Sequence, residues 1–184
     1  MKHSLIKKLK SSMLSIQKIV SLVIILVFAM NFNLSAQKCK YDYEKKDPIT
    51  NELTKGNSFP VKTYWKIGLN KLGNQYWVGM YILYNTEIKD IITPENTMIL
   101  KLQNGEIITV NASENFPPSY RVNVNSVAPI TTAYQAKFTI SEEDLKRLSE
   151  SPLVFIRMGV GSRTQDSEIK NGSKFQNNAK CILQ

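Results

Sequence analysis

Residues 61–84, VKTYWKIGLNKLGNQYWVGMYILY, constrain this chain more than any other stretch. They read as two strands joined by a polar loop at residues 70–74. In the first, Val61, Thr63, Trp65, Ile67 and Leu69 alternate with Lys62, Tyr64 and Lys66, the period of two that marks a half-buried strand. The second, residues 75–84, sets Tyr76, Val78, Met80, Ile82 and Tyr84 against Trp77, Tyr81 and Leu83. A strand apolar on both sides is expected in the middle of a sheet with material packed on each face. A chain built on such a hairpin folds as a mainly β domain.

Before the hairpin, residues 1–36 carry a basic start (Lys2, Lys7, Lys8, Lys10, Lys18), an apolar run over 19–30 broken only by Ser21, and small residues at Ser35 and Ala36. That order predicts a secretory signal peptide cleaved between Ala36 and Gln37. Twelve residues of helix rise about 18 Å, short of a ~30 Å hydrocarbon core. The competing expectation is an uncleaved anchor lengthened by Phe32 and Leu34. The leader holds five of the 24 basic residues and none of the 15 acids, so residues 37–184 carry +4, not the +9 of the whole chain. The remaining basic residues form no stripe, which argues against nucleic-acid binding. Contact with a membrane is expected only through the leader, before cleavage.

Residues 37–184 suit a single β-rich domain. The two cysteines, Cys39 and Cys181, stand at its ends. In an oxidising compartment they are expected to form a disulfide, the alternative being two free thiols.

Along the chain, residues 38–60 are polar and turn-rich and are expected to run over the surface. Asn104-Gly105 predicts a two-residue type I′ hairpin turn. That turn would set Leu102 opposite Ile107, Leu100 opposite Thr109 and Ile99 opposite Val110, with Met98, Leu100, Leu102 and Ile107 on the buried face. Residues 120–127 and 132–140 alternate as strands, with a break at Ala128-Pro129. Ser141 is placed to cap a short helix whose apolar stripe is Leu145 and Leu148. Residues 153–160 read as another central strand and 161–172 as a polar loop. Ser173 is placed to cap a last helix carrying Phe175, Ala179 and Ile182 on one face. About seven strands and two short helices predict an antiparallel β-sandwich or a partly open barrel.

Chemistry is constrained by one absence: the only histidine, His3, lies in the leader. Imidazole-based triads and the common zinc sites are therefore not expected in residues 37–184. No cofactor motif is present. Asp42, Glu44, Asp47, Glu87, Asp90 and Glu142 to Asp144 are the acids that a glycan hydrolase would have to draw on. Asp47, Asn51 and Glu52 lack the alternation of a calcium loop. Arg157, the one charge in its strand, is expected to make a structural ion pair. The aromatic residues Tyr64, Tyr76, Trp77, Tyr81, Tyr84, Tyr120 and Tyr134 read first as core and cross-strand packing. Tyr64, flanked by Lys62 and Lys66, is the candidate ligand contact.

The Cys39-to-Glu44 start followed by Asp47-Pro48-Ile49-Thr50, the Leu100-Lys101-Leu102 and Asn104-Gly105-Glu106 hairpin, the Ile140-to-Leu145 segment, Ile156-Arg157 and the Phe175, Ala179, Lys180, Cys181 helix together resemble a group of small, uncharacterised exported β-rich proteins of Bacteroidetes. The resemblance implies an envelope location, periplasmic or extracellular, and carries no active site. The reading that follows is an exported, non-enzymatic envelope protein that binds a partner or serves structurally, its partner an envelope protein or a glycan. The alternative is a glycan-binding module or a carboxylate-dependent glycan hydrolase. An aromatic platform with open acids in one cleft would favour that alternative, and wholly buried aromatics would favour the first.

Overall fold

The computed structural model describes residues 39–122 and 130–184. The leader, the Ala36/Gln37 cleavage point, the second half of the 120–127 strand and the Ala128-Pro129 break lie outside the described residues. In chain order the strands are β1 (Tyr43–Lys46), β2 (Leu53–Lys62), β3 (Trp65–Leu72), β4 (Gln75–Tyr84), β5 (Thr97–Leu102), β6 (Ile107–Asn111), β7 (Ser119–Val122), β8 (Ile130–Ile140), β9 (Leu153–Val160) and β10 (Arg163–Glu168). Helix α1 (Glu142–Glu150) lies between β8 and β9, and α2 (Gly172–Leu183) ends the chain.

Among the described residues every pairing is antiparallel. One sheet has six strands in the order β1-β2-β3-β4-β8-β7, the other four in the order β10-β9-β5-β6. The sheets lie face to face and approach at two corners. At one, the Lys62 amine at the end of β2 donates to the Asp166 carbonyl of β10 (2.8 Å). At the other, Ser113, just past β6, donates its backbone N–H to the Lys137 carbonyl of β8 (2.9 Å). The result is a sandwich curled toward a half-barrel. Between the sheets sit Trp65, Ile67, Leu69, Val78, Met80, Ile82, Tyr134 and Phe138 from one side, and Met98, Leu100, Leu102, Ile108, Ile156 and Met158 from the other. Phe175 of α2 meets Phe59 of β2 edge to face, with ring centroids 6.3 Å apart.

The expected fold class holds, and several local expectations are corrected. Residues 38–60 are not a surface loop but supply β1 and most of β2. Tyr43 to Lys46 are all exposed, so their polar composition is that of an edge strand and carries no apolar alternation. The first central strand is divided: β2 ends at Lys62, Thr63 and Tyr64 form a tight turn, and β3 begins at Trp65. The 70–74 loop shrinks to Gly73-Asn74, with Gly73 at φ 55°. Residues 163–168 of the expected polar loop form the edge strand β10. Ser173 does not cap α2, whose N-cap is Asn171 without a side-chain hydrogen bond. The Ser141 cap is as expected: its hydroxyl accepts from the Asp144 N–H (3.0 Å), and Leu145 and Leu148 are buried.

The Asn104-Gly105 turn is a longer one than the dipeptide suggests. Gly105 alone has positive φ, at 91°. The Gly105 N–H donates to the Leu102 carbonyl, and the Leu102 N–H to the Glu106 carbonyl. This is a three-residue loop closed by a left-handed glycine. The register moves by one: Leu100 faces Ile108, Ile99 faces Thr109 and Met98 faces Val110. One step exchanges the two faces of a strand, so Ile108 and Val110 are buried while Ile107 is 56% exposed.

Cys39 and Cys181 form the expected disulfide, with Cα atoms 5.4 Å apart. It ties the start of the arm leading into β1 to the last turn of α2. No helix among the described residues is long and apolar enough to cross a membrane.

Candidate functional site

The outer face of the six-stranded sheet departs from what a solvated sheet face should look like. Such a face normally alternates polar residues outward. On β4 the outward positions are instead Gln75, Trp77, Gly79, Tyr81 and Leu83, and all but Gln75 among the side-chain bearers are half-buried. β4 is central, as the sequence predicts, but no element among the described residues packs over its second face: Trp77, Tyr81 and Leu83 remain partly open.

The neighbouring strands shape this face by register. Gly68 of β3 pairs directly with Gly79, Ser58 of β2 lies beyond Gly68, and Lys137 of β8 lies beyond Gly79. On one side of that row run Tyr43, Gly56, Asn70, Trp77 and Thr139, and on the other Pro60, Lys66, Tyr81 and Gln135. Two paired glycines in strand interiors weaken a sheet and mark places where something must approach the backbone closely. Here the close approach is made within the protein, by Asn70 Nδ2 over Gly79 and the Asn57 carbonyl beside Gly68, and the two glycines line a trough of about 650 Å³ together with Trp77 and Tyr81. Glu114 and Phe116 border it from the segment after β6, where the Phe116 N–H donates to the Ile92 carbonyl (2.7 Å). A second cavity of about 560 Å³ runs from Trp77, Glu114 and Lys137 toward Ser141 and Glu142 at the start of α1.

The polar groups of the trough are held in fixed positions. Asn70 is buried, its Nδ2 donating to the Gly68 carbonyl (3.3 Å) and its Oδ1 accepting from the Tyr43 hydroxyl (2.6 Å). Burial raises the Tyr43 pKa, so the phenol is a neutral donor at neutral pH. Asp42 Oδ2 accepts from the Ser58 hydroxyl (2.7 Å) and backbone N–H (2.5 Å), and these bonds hold its carboxyl below the ordinary carboxylate value. The Lys137 ammonium lies 5.6 Å from the Trp77 ring centroid, a cation–π contact. Two lysines, Lys66 and Lys137, stand against two acids, Asp42 and Glu114, so the lining carries no net charge.

The structure separates the three residues grouped as a candidate contact. Tyr64 is 54% exposed in the β2–β3 turn, away from the trough. Lys66 lies in the trough. Lys62 lies in a cleft of about 660 Å³ beside β10, where its amine donates to the Asp166 carbonyl and the Asp166 carboxylate accepts from Arg157 at both oxygens (2.9 and 2.7 Å). Arg157 thus makes its expected structural ion pair, on the exposed face of β9. The remaining acids are dispersed. Asp47 receives the Ile49 and Thr50 N–H groups, Glu142 pairs with Lys146 (2.8 Å) and Asp144 with Arg147 (2.8 Å). Among the described residues no three acids or cysteines gather as a metal set.

Trp77 and Tyr81 were expected in packing and Gly79 was not singled out; WxGxY on one strand face, with Gly68 across from it, is the pattern that marks them. The signal was the pair of glycines inside otherwise strong strands. No family model matches the chain, and no curated protein or solved structure is similar to it; the resemblance to exported Bacteroidetes proteins rests on the quoted motifs alone.

Proposed function

We propose that this protein is an exported, non-catalytic binding domain whose trough on the six-stranded sheet holds a neutral glycan. The observation that carries the reading is the half-exposed Trp77 and Tyr81 pair set either side of the Gly68–Gly79 floor. Flat aromatic surface with a rim of fixed hydrogen-bonding groups suits a sugar, whose faces are apolar and whose edge is polar. The balance of lysines and acids favours a neutral ligand over a polyanion. Two features favour holding over cleaving. A glycoside hydrolase needs one carboxyl with a raised pKa to act as general acid. Asp42 is shifted the other way, and its Oδ2 is already engaged by Ser58. The disulfide fits an oxidising compartment, and with it an envelope or extracellular location.

The test uses the intrinsic fluorescence of the protein. It has two tryptophans; Trp65 is 2% exposed in the core and provides a constant background, so a change on adding ligand reports on Trp77. Across a panel of insoluble and soluble neutral polysaccharides, at least one is expected to retain the protein and shift this emission. Trp77→Ala should weaken retention about tenfold or more, the loss of one well-packed aromatic contact. Retention on none of the panel by folded protein, or unchanged retention by Trp77→Ala, would overturn the reading.

A further inference from the structure

Resting on the glycan reading above, the layout of the outer sheet face also sets how a sugar chain lies and how much of it is held. The trough and the second cavity share Trp77, Glu114 and Lys137. They follow one another along β4: Gly79 and Tyr81 line the first, Gln75 lines the second, and Trp77 stands at the junction. Outward positions on a strand come every second residue. From Tyr81 to Gln75 the two cavities therefore make one groove roughly 20 Å long, room for about four hexoses. Beside this aromatic row runs a polar one. The outward residues of β8 are Gln135, Lys137 and Thr139, which pair with Tyr81, Gly79 and Trp77, and all are exposed. Gln135 and Lys137 line the trough, Lys137 and Thr139 the second cavity. The side chains of Gln135 and Thr139 make no hydrogen bond among the described residues.

Rings spaced along one strand, with free polar groups in step on the next, suit a polymer lying parallel to both. Its apolar sugar faces would meet Trp77 and Tyr81, and its hydroxyl edge would meet β8. Among the described residues neither end of the groove is walled. Lys66 and Gln135 beside Tyr81, and Asn74, Gln75 and Glu142 at the other extreme, are all exposed. A site that reads a chain end needs a surface for the chain to stop against, whereas here the chain can run on in both directions. We propose that the groove holds an internal stretch of a linear polysaccharide, lying along β4 and β8 with Trp77 under its middle, and that it recognises neither chain end.

The test hydrolyses the polysaccharide that retains the protein in the panel above and titrates its size-fractionated fragments, from disaccharide to hexasaccharide, against the full protein. Affinity is expected to rise at least about tenfold from the disaccharide to about the tetrasaccharide, as each added unit gains contacts, and then to level off within about threefold. Borohydride reduction of the hexasaccharide's free end should leave its affinity within about twofold, because a through-running chain makes no contact that depends on that end. Thr139→Arg fills the second cavity from an exposed strand position. It should remove most of the gain from length by steric exclusion and leave the disaccharide within about twofold of wild type. A disaccharide bound as tightly as the hexasaccharide, loss of binding on end reduction, or undiminished hexasaccharide binding by Thr139→Arg overturns the internal-chain assignment and leaves the glycan reading standing. Retention on no polysaccharide overturns both.

Discussion

Tyr84 ends β4 with its ring against Tyr134, edge to face at 6.1 Å, and with its hydroxyl buried and unpartnered among the described residues. A buried hydroxyl without a partner costs its hydration on folding and regains nothing. Tyr84→Phe should therefore stabilise the protein, by about 1 kcal/mol, seen as a higher urea midpoint at constant slope. A lower midpoint would mean that the hydroxyl is satisfied after all. The same burial sets a pH dependence. It pushes the Tyr84 and Tyr134 pKa values from 10.0 up to about 12. A proton held more tightly in the folded than in the unfolded state stabilises fully below the unfolded pKa and less as pH rises through the folded one. Stability should thus fall between about pH 10 and pH 12, and fall less steeply in Tyr84→Phe. Equal slopes in the two proteins would refute the assignment to Tyr84.

Two elements show how local chemistry fixes a boundary. Gly105 closes the β5–β6 hairpin at φ 91°, and a Cβ there would meet nothing within 4 Å. Gly105→Ala consequently tests backbone strain alone and should cost about 1–2 kcal/mol, read from denaturant midpoints. Ser141→Ala at the start of α1 should cost about 1 kcal/mol. The helix starting at Ser141 was readable because its cap, its acidic first turn and its Leu145/Leu148 stripe all agree. The β5–β6 hairpin was readable as a hairpin but not in register, because Asn-Gly serves both a two-residue turn and a three-residue loop with a left-handed glycine. Alternation could not separate the two: Ile107, Ile108 and Val110 offer an apolar residue to either face. Edge strand β1 escaped notice because it is solvated on both sides and has no apolar period to display, and β10 because its inward positions, Gln165 and Ser167, are polar. The site was half visible. The aromatic residues of β4 were evident, but their outward face reads as buried unless the paired Gly68 and Gly79 are recognised as a floor and not as a weakness in packing.

At the scale of the molecule, the disulfide joins two ends that other contacts already hold. The arm after Cys39 runs into β1, which pairs with β2 from Tyr43 to Lys46. The Asp42 N–H donates to the Gly56 carbonyl (3.0 Å), and the Tyr41 hydroxyl to the Cys181 carbonyl (2.7 Å). The buried Lys55 amine in turn donates to Tyr41 (3.0 Å). The arm carrying Asp42 and Tyr43 to the trough is thus anchored independently of the sulfur bridge. The bridge then acts mainly on the unfolded chain, where it closes a loop spanning 142 positions, and the loop-entropy model gives at most about 5 kcal/mol for it. Replacing both cysteines by serine should lower stability by several kcal/mol. It should also raise the denaturant slope, because the unfolded chain is freer to expose surface. Wherever the variant remains folded, its affinity for the trough ligand should stay within about twofold of wild type. A large loss of affinity in folded variant would instead place the bridge among the groups that shape the trough, and would make ligand capture sensitive to the redox state of its surroundings.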